Sequence, residues 1–198
     1  MLTNKEFQRQ LVHILVGLIT ILLIHLKMLS SLAIFLLIIL GISISLISKR
    51  VKIPIINKFL NHLEREEIKN KFPGKGVIFF FTGVLLVLQL FQRDIALAAI
   101  MILTLGDSVS HIVGGKYGQL KNLFNDKSKK LFEGTIAGTL AGFLGALIFV
   151  PATEAFLASF IAMVAEVIKI DFNDHTLDDN LVVPLIAGTT IFLLRTYL

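Results

Sequence analysis

Apolar residues in this chain come in long blocks rather than in alternation. Seven blocks stand out, at about 10–27, 29–48, 77–92, 94–112, 132–150, 152–169 and 181–197. A helix that crosses a bilayer needs about 20 mostly apolar residues, within a range of roughly 17–25, and each block lies in or near that range. The pattern predicts an all-α fold: a polytopic membrane helix bundle of about seven transmembrane helices, forming a single integral membrane domain over 1–198. The first block is not expected to be a cleaved signal peptide, because its apolar run continues into the second with no small-residue cleavage site between them. A different pattern fills the stretch from Pro54 to Asn70. There Ile56, Phe59, Leu60, Leu63 and Ile68 share one helical face, and Lys58, Arg65, Glu66 and Lys69 lie largely on the other. This predicts an amphipathic helix, either lying in the membrane interface or packed on the bundle. It stops at Phe72-Pro73-Gly74, a helix-breaking turn.

Composition agrees with the block pattern. The chain has 198 residues, is 55% hydrophobic and has a mean hydropathy of +0.82, above the 45–50% apolar content of soluble domains. There are no cysteines, which removes disulfides, thiolate metal sites and Cys nucleophiles. Charge then orients the blocks. With the N-terminus in the cytoplasm, the inner side holds Lys5, Arg9, eight basic residues from Lys49 to Lys75, five from Lys116 to Lys130, and Lys169, or 16 of the 19 Lys and Arg. The outer side holds only Lys27, Arg93 and Arg195. This is the positive-inside bias, and it predicts an N-terminus and an active site that are both cytoplasmic. The inner side also carries 12 of the 14 carboxylates, all but Asp94 and Glu154. Chemistry is therefore expected on the inner face.

Four clusters there carry candidate chemistry. The first runs from Gly106-Asp107 through Ser110-His111 to Gly114-Gly115-Lys116-Tyr117-Gly118. Helical spacing puts Asp107, Ser110, His111 and Gly114 on one face. An ionisable residue at membrane depth is costly and points to function. Asp107 is a hard oxygen donor suited to Mg²⁺, the glycines leave room for phosphate, and Lys116 would offset its charge; the structural alternative pairs Asp107 with Lys116 at the interface. The spacing is not that of a P-loop. The second cluster, Lys127 to Gly134, has a basic run ending at Lys130, followed by Glu133 at a helix start. A carboxylate there suits the helix dipole as well as it suits a site. The third comprises Glu166, Asp171, Asp174, His175 and Asp178-Asp179-Asn180. Adjacent carboxylates and an amide suit Mg²⁺, while Asp and Asn also cap helices. Lys169, three residues after Glu166, is a possible partner for it. The fourth sets Arg9 and His13 four residues apart on one face, where an arginine is ordinarily a topology anchor. A further stripe, Gly134, Gly138, Gly142 and Gly145, lets two helices approach closely, within the monomer, in a homodimer or beside a lipid-binding groove.

In this order the clusters resemble the CTP-dependent lipid kinases, the family of dolichol (polyprenol) kinase, phytol kinase and CTP-dependent diacylglycerol kinase, which is related to the membrane cytidylyltransferases. The resemblance covers nearly the whole chain. It rests on Arg9 and His13, on Glu64-Arg65 leading to Pro73-Gly74-Lys75-Gly76, on Gly106-Asp107 with Gly115 and Gly118, on Lys130 with Glu133-Gly134, and on Glu166 followed by Asp178-Asp179-Asn180 and Pro184. Two positions depart from the family pattern: Gln10 stands where a lysine is common, and Leu131 where Ser or Thr is common.

The resemblance implies a kinase that uses CTP and Mg²⁺ to phosphorylate the hydroxyl of a membrane lipid alcohol, such as a polyprenol or diacylglycerol. Asp107, Asp178 and Asp179, with Glu133, would hold the metal on the triphosphate. Lys75, Lys116 and Lys130 would offset phosphate charge, and Arg9, Gly114, Gly115, Gly118 and Asn180 would complete the nucleotide site. Asp107 or His111 would act as general base. The expected partners are a membrane lipid and a nucleotide, with no nucleic acid. The expected setting is a prokaryotic or archaeal plasma membrane, with the chain as a core catalytic unit. Three other functions remain open: a cytidylyltransferase making a CDP-lipid from a lipid phosphate, a membrane transporter, and a non-catalytic scaffold that keeps the fold. The chain shows no internal repeat of the kind transporters carry.

Overall fold

The computed structural model describes residues 2–48, 72–120, 131–168, 171–172 and 175–197. The amphipathic stretch 54–70 and the basic run that includes Lys130 lie outside the described residues. Seven helical elements occupy the places of the seven apolar blocks. They are α1 (Asn4–His25), α2 (Ser31–Ser48), α3 (Lys75–Leu90), α4 (Arg93–Tyr117), α5 (Phe132–Ala146), α6 (Ala152–Ile168) and α7 (Asp179–Tyr197). A two-residue antiparallel ladder, β1 (Asp171–Phe172) with β2 (His175–Thr176), lies between α6 and α7. Four of the helices, α1, α2, α4 and α7, are long and apolar enough to cross a membrane. The other three have 16, 15 and 17 residues, or about 22–26 Å at 1.5 Å per residue, against a hydrocarbon core of about 30 Å.

The helix ends follow from local chemistry. Thr3 caps α1 by accepting the Glu6 backbone N–H at 3.2 Å. Three residues separate them, as in a capping box. Helix α1 closes on Lys27, which takes the left-handed conformation at φ 59° and so turns the chain toward α2. Gly74 does the same at φ 79° just ahead of α3, where glycine has no Cβ to clash.

Helix α4 is the axis of the bundle. Every residue from Ile95 to Thr104 is buried, as expected of a helix that is apolar all round and wrapped by others. Helices α1, α3, α5, α6 and α7 pack around it. Helix α2 sits at the periphery against α3 and buries only Ile34, Ile38 and Ser45. Its Leu32, Leu36 and Leu40 are more than half exposed, as are Leu15 and Leu22 of α1 and Leu144 of α5. So broad an apolar surface needs lipid to cover it, and the protein is an integral membrane protein.

The glycine stripe of α5 is used inside the monomer. A Cβ on Gly134 would lie 2.5 Å from the Ser110 carbonyl oxygen. One on Gly138 would lie 2.7 Å from the Gly106 carbonyl oxygen, one on Gly142 2.5 Å from Ser159 Oγ, and one on Gly145 2.6 Å from Met101 Cγ. The stripe therefore lets α5 lie directly on α4 and α6. Ser159 Oγ also donates to the Thr139 carbonyl at 2.8 Å, which ties α6 to α5.

Candidate active site at the acidic end of the bundle

Within α4 the backbone changes from α to π geometry over Ile102–Asp107 and back to α at Ser108. A π turn admits an extra residue, which rotates everything after it by about 100°. The π segment ends on Asp107, so it sets the direction in which Asp107 and His111 point. Asp107 is 8% exposed. His111 Nε2 lies 3.5 Å from Asp107 Oδ1.

Two other helices complete the cluster. Glu166, near the C-terminal end of α6, is 1% exposed, and Asp179 opens α7. One ligand atom from each of Asp107, His111, Glu166 and Asp179 lies within 4.8 Å of the others. Three carboxylates this close repel one another unless a proton or a cation is shared among them. Such a donor set can hold a hard divalent cation through its oxygens.

Asp178 faces a different way. Its Oδ2 pairs with Lys75 Nζ of α3 at 3.1 Å, and its Oδ1 accepts from Asn180 N at 3.2 Å and Asn180 Nδ2 at 2.9 Å. Asp178 thus caps α7, as its residue type allows. The Lys75 ammonium also sits 5.1 Å over the Phe79 ring. Pro184, inside α7, has no N–H to donate to the carbonyl four residues back, that of Asn180. Gly83 of α3 lies against that carbonyl, and a Cβ there would collide with its oxygen. The close approach of α3 to the first turn of α7 positions Lys75 beside the acidic residues.

Helix α1 supplies the remaining wall. His13 packs edge-on against Phe80 with ring centroids 5.3 Å apart. Its Nε2 is buried and has no hydrogen-bond partner among the described residues. The same holds for Ser108 Oγ and Asn180 Oδ1, next in sequence to Asp107 and Asp179. Arg9 pairs with Glu6 at 2.6 Å.

Other expected residues sit elsewhere. Glu133 takes the backbone N–H of Gln119 at 2.9 Å and of Leu120 at 3.1 Å, closing the turn after α4. Gly114 packs against Gly134, Gly118 against Leu131, and Gly115 against Leu2, whose N–H donates to the Gly115 carbonyl at 2.9 Å. Lys116 is exposed and lies 5.0 Å over the Tyr117 ring. The structure therefore gathers Asp107, His111 and Asp179, and adds Glu166. It sets Asp178, Asn180, Lys75 and His13 at the margin of that group, and it places Gly114, Gly115 and Lys116 near the end of α4, Gly118 just after it and Glu133 in the first turn of α5. The signal for Glu166 in the sequence was a lone carboxylate inside an apolar run.

Fold and site together define a helical integral membrane protein with an acidic centre built from three helices at one end of its bundle. Comparison with known proteins places the chain further. It is 31% identical to an uncharacterized protein of Methanocaldococcus jannaschii over 189 residues, covering 94% of this chain and 93% of that one. It belongs to the same family as that archaeal protein. It is also 27% identical to the CTP-dependent diacylglycerol kinase 1 of Schizosaccharomyces pombe, over 70% of this chain and 67% of the yeast protein. A probable chloroplastic phytol kinase 2 of Oryza sativa is 31% identical over 60% of this chain and 43% of its own length. The distant relatives are thus lipid kinases by name. No protein-family profile matches the chain, and no solved structure does.

Proposed function

We propose that this protein is a CTP-dependent lipid kinase that transfers the γ-phosphate of CTP to the hydroxyl of a membrane lipid alcohol, such as a polyprenol or diacylglycerol, with Mg²⁺. The observation that carries the reading is the convergence of Asp107, His111, Glu166 and Asp179. The donor set fits the metal: three carboxylates supply the hard oxygens that Mg²⁺ prefers. The imidazole suits a proton acceptor better than a Mg²⁺ ligand. The orphaned His13 Nε2, Ser108 Oγ and Asn180 Oδ1 fit a site that a polar ligand completes, since buried polar atoms are ordinarily paired.

Asp107, Glu166 and Asp179 would hold the cation, with Asp178 beside them. When bound, the metal neutralises triphosphate charge. Phosphoryl transfer otherwise depends on in-line positioning and charge neutralisation. Lys75, held by Asp178, stands ready to share its charge with a phosphate, and Arg9 and Lys130 are further candidates from the sequence. His111, oriented by Asp107, accepts the proton of the attacking hydroxyl.

The names of the yeast and rice relatives support the reading. In this reading all seven helices cross the membrane, with the N-terminus and active site cytoplasmic, in the plasma membrane of a prokaryote or archaeon. The charge asymmetry of the loops supports that orientation.

The test uses purified protein in liposomes with lipid alcohols, lipid phosphates, Mg²⁺ and CTP labelled at either the γ- or the α-phosphate. Label reaching lipid alcohol from the γ position alone is the expected outcome. Label transferred from the α position would replace the kinase with a cytidylyltransferase. Orientation is tested separately, because the chain has no cysteine and one introduced thiol is unique. Lys27→Cys is expected to react with an impermeant maleimide only from outside, and Lys129→Cys only from inside.

A further inference from the structure

At the end of the bundle opposite the acidic cluster, the α1–α2 turn meets the α3–α4 turn around a cleft of about 360 Å³. Ile24, Leu29 and Leu88 give it an apolar lining, and Lys27, Ser31 and Arg93 give it a polar one. Lys27 is the unusual member. The turn closes α1 as a Schellman motif, with the Lys27 N–H on the Ile24 carbonyl and the Met28 N–H on the Leu23 carbonyl, both at 2.9 Å. Glycine usually fills the left-handed position of that motif. Here a lysine takes it at φ 59°, and no other non-glycine residue among those described has a positive φ. A side chain in that conformation costs free energy, so a lysine there points to a use for its ammonium.

No carboxylate answers that charge. Asp94 and Glu154, the acids at this end, both pair with Arg195. Lys27 has no ion pair among the described residues, and Arg93 directs one nitrogen, Nη2, at the Ile24 and His25 carbonyls. Two positive charges therefore border one cleft with no acid between them. Helix α2 adds to them, because it starts at Ser31 with no acidic residue in its first turn. Ser30 takes the Ala33 N–H on its hydroxyl at 3.2 Å and the Ile34 N–H on its carbonyl at 3.0 Å. The N–H groups of Ser31 and Leu32 are left without an intrahelical acceptor. Cations beside a helix N-terminus suit a phosphate. The surroundings choose between a free phosphate and one carried by a lipid. Met28, Leu32 and Leu90, close in sequence to the lining residues, are 71%, 66% and 61% exposed, so the cleft opens among side chains that lipid covers.

We propose that this cleft binds the phosphate of an anionic membrane phospholipid, with Lys27 and Arg93 sharing its charge and the acyl chains lying along the exposed leucines of α2 and α3. The volume of 360 Å³, about twelve times the share of one water molecule in the liquid, takes a phosphate and its glycerol and leaves the chains in the bilayer. The proposal needs only the membrane fold and stands apart from the kinase reading.

The experiment uses the full chain in phosphatidylcholine nanodiscs. The probe is phosphatidylglycerol carrying a diazirine near its glycerol backbone, and labelled peptides are mapped by mass spectrometry. Labelling is expected on residues 24–31 and 88–93. Unlabelled phosphatidylglycerol should displace it, while added phosphatidylcholine, whose own cation opposes Lys27 and Arg93, and excess inorganic phosphate should not. Lys27→Gln is expected to lower this labelling about tenfold or more, as the loss of a charge-assisted hydrogen bond does, and Lys27→Arg to keep it. Lys27→Gly gives an independent readout, since it removes the charge and relieves the left-handed backbone together. In phosphatidylcholine alone its thermal midpoint should lie about 2–4 °C above that of the native protein, and phosphatidylglycerol should stabilise the native protein only. Equal displacement by phosphatidylcholine, unchanged labelling in Lys27→Gln, or a lowered midpoint for Lys27→Gly in phosphatidylcholine would each overturn the proposal. Displacement by inorganic phosphate would give the cleft to the free anion and overturn the lipid assignment.

Discussion

The two ends of the bundle handle charge in opposite ways. At the end holding Arg195, one guanidinium is shared by two carboxylates: its NH1 lies 2.6 Å from Asp94 and its Nε 3.0 Å from Glu154. This joins α7 to α4 and α6. Arg93 beside it donates to the Ile24 and His25 carbonyls at 2.6 and 2.7 Å, satisfying the C-terminal end of α1. The connections there are short, and both arginines and both carboxylates have partners. At the other end three carboxylates and a histidine from α4, α6 and α7 are drawn together, and buried polar atoms of His13, Ser108 and Asn180 are left without a hydrogen bond among the described residues. The Arg195 network ties helices together, whereas the acidic cluster brings like charges close, which favours a shared cation or proton. On the proposed reading, the contrast separates charge used for structure from charge kept for chemistry.

The largest effect should come from the acidic cluster. Asp107→Asn and Asp179→Asn are each expected to lower phosphoryl transfer about a hundredfold or more, while the thermal midpoint in detergent stays level or rises as like-charge repulsion is relieved. A collapsed midpoint would make the cluster structural, like the opposite end. Next comes the packing that holds the cluster in place. Gly138→Leu drives a side chain into Gly106 and Met163 and should cost at least about 1–3 kcal/mol, read as a lower midpoint with activity lost in parallel. Lys75→Met should raise the KM for nucleotide about tenfold, the loss of one charge-assisted hydrogen bond, with little change in the KM for lipid. An equal rise for both substrates would make Lys75 a positioning residue for α7 alone. The smallest effect belongs to Arg195→Ala. Its ion pairs are partly exposed, at 28% for Arg195 and 42% for Asp94, so the expected cost is about 1 kcal/mol or less, with transfer within about twofold of the native protein. A large loss of activity there would break the division between the two ends.

Much of the fold was legible because apolar blocks of nearly fixed length have one solution in a bilayer: helices that satisfy their own backbone. The seven blocks and the helix elements agree to within a few residues, α1 departing most, since it begins at Asn4 rather than near residue 10. Helices α3, α5 and α6 are shorter than the other four, at or just below the short end of the crossing range. The glycine stripe was also visible, but whether it faced a second copy or its own neighbours was a question of packing. Ser110, Gly106, Ser159 and Met101 answered it.

The site was harder to read. Asp107 and His111 share a helix and were linked by spacing, but the π segment that aims them has no signal in the residue pattern. Asp178 and Asp179 are adjacent in sequence and look equivalent. The structure divides them, Asp179 joining the cluster and Asp178 turning to Lys75, because successive residues at a helix start point about 100° apart. Glu166 lies 59 residues from Asp107 along the chain (166 − 107), and only the packing of α6 against α5 and the π segment of α4 brings it within reach of the others.

The sequence by itself determined the membrane class, the all-α character and the order of the apolar helices among the described residues. Those depend on residue type and on distance along the chain, which set helix length and charge balance directly. Tertiary structure decided which acids meet and which glycines close a helix contact within the bundle. Those depend on the rotation of each helix about its own axis, and rotation is fixed by side chains interlocking across helices far apart in the sequence.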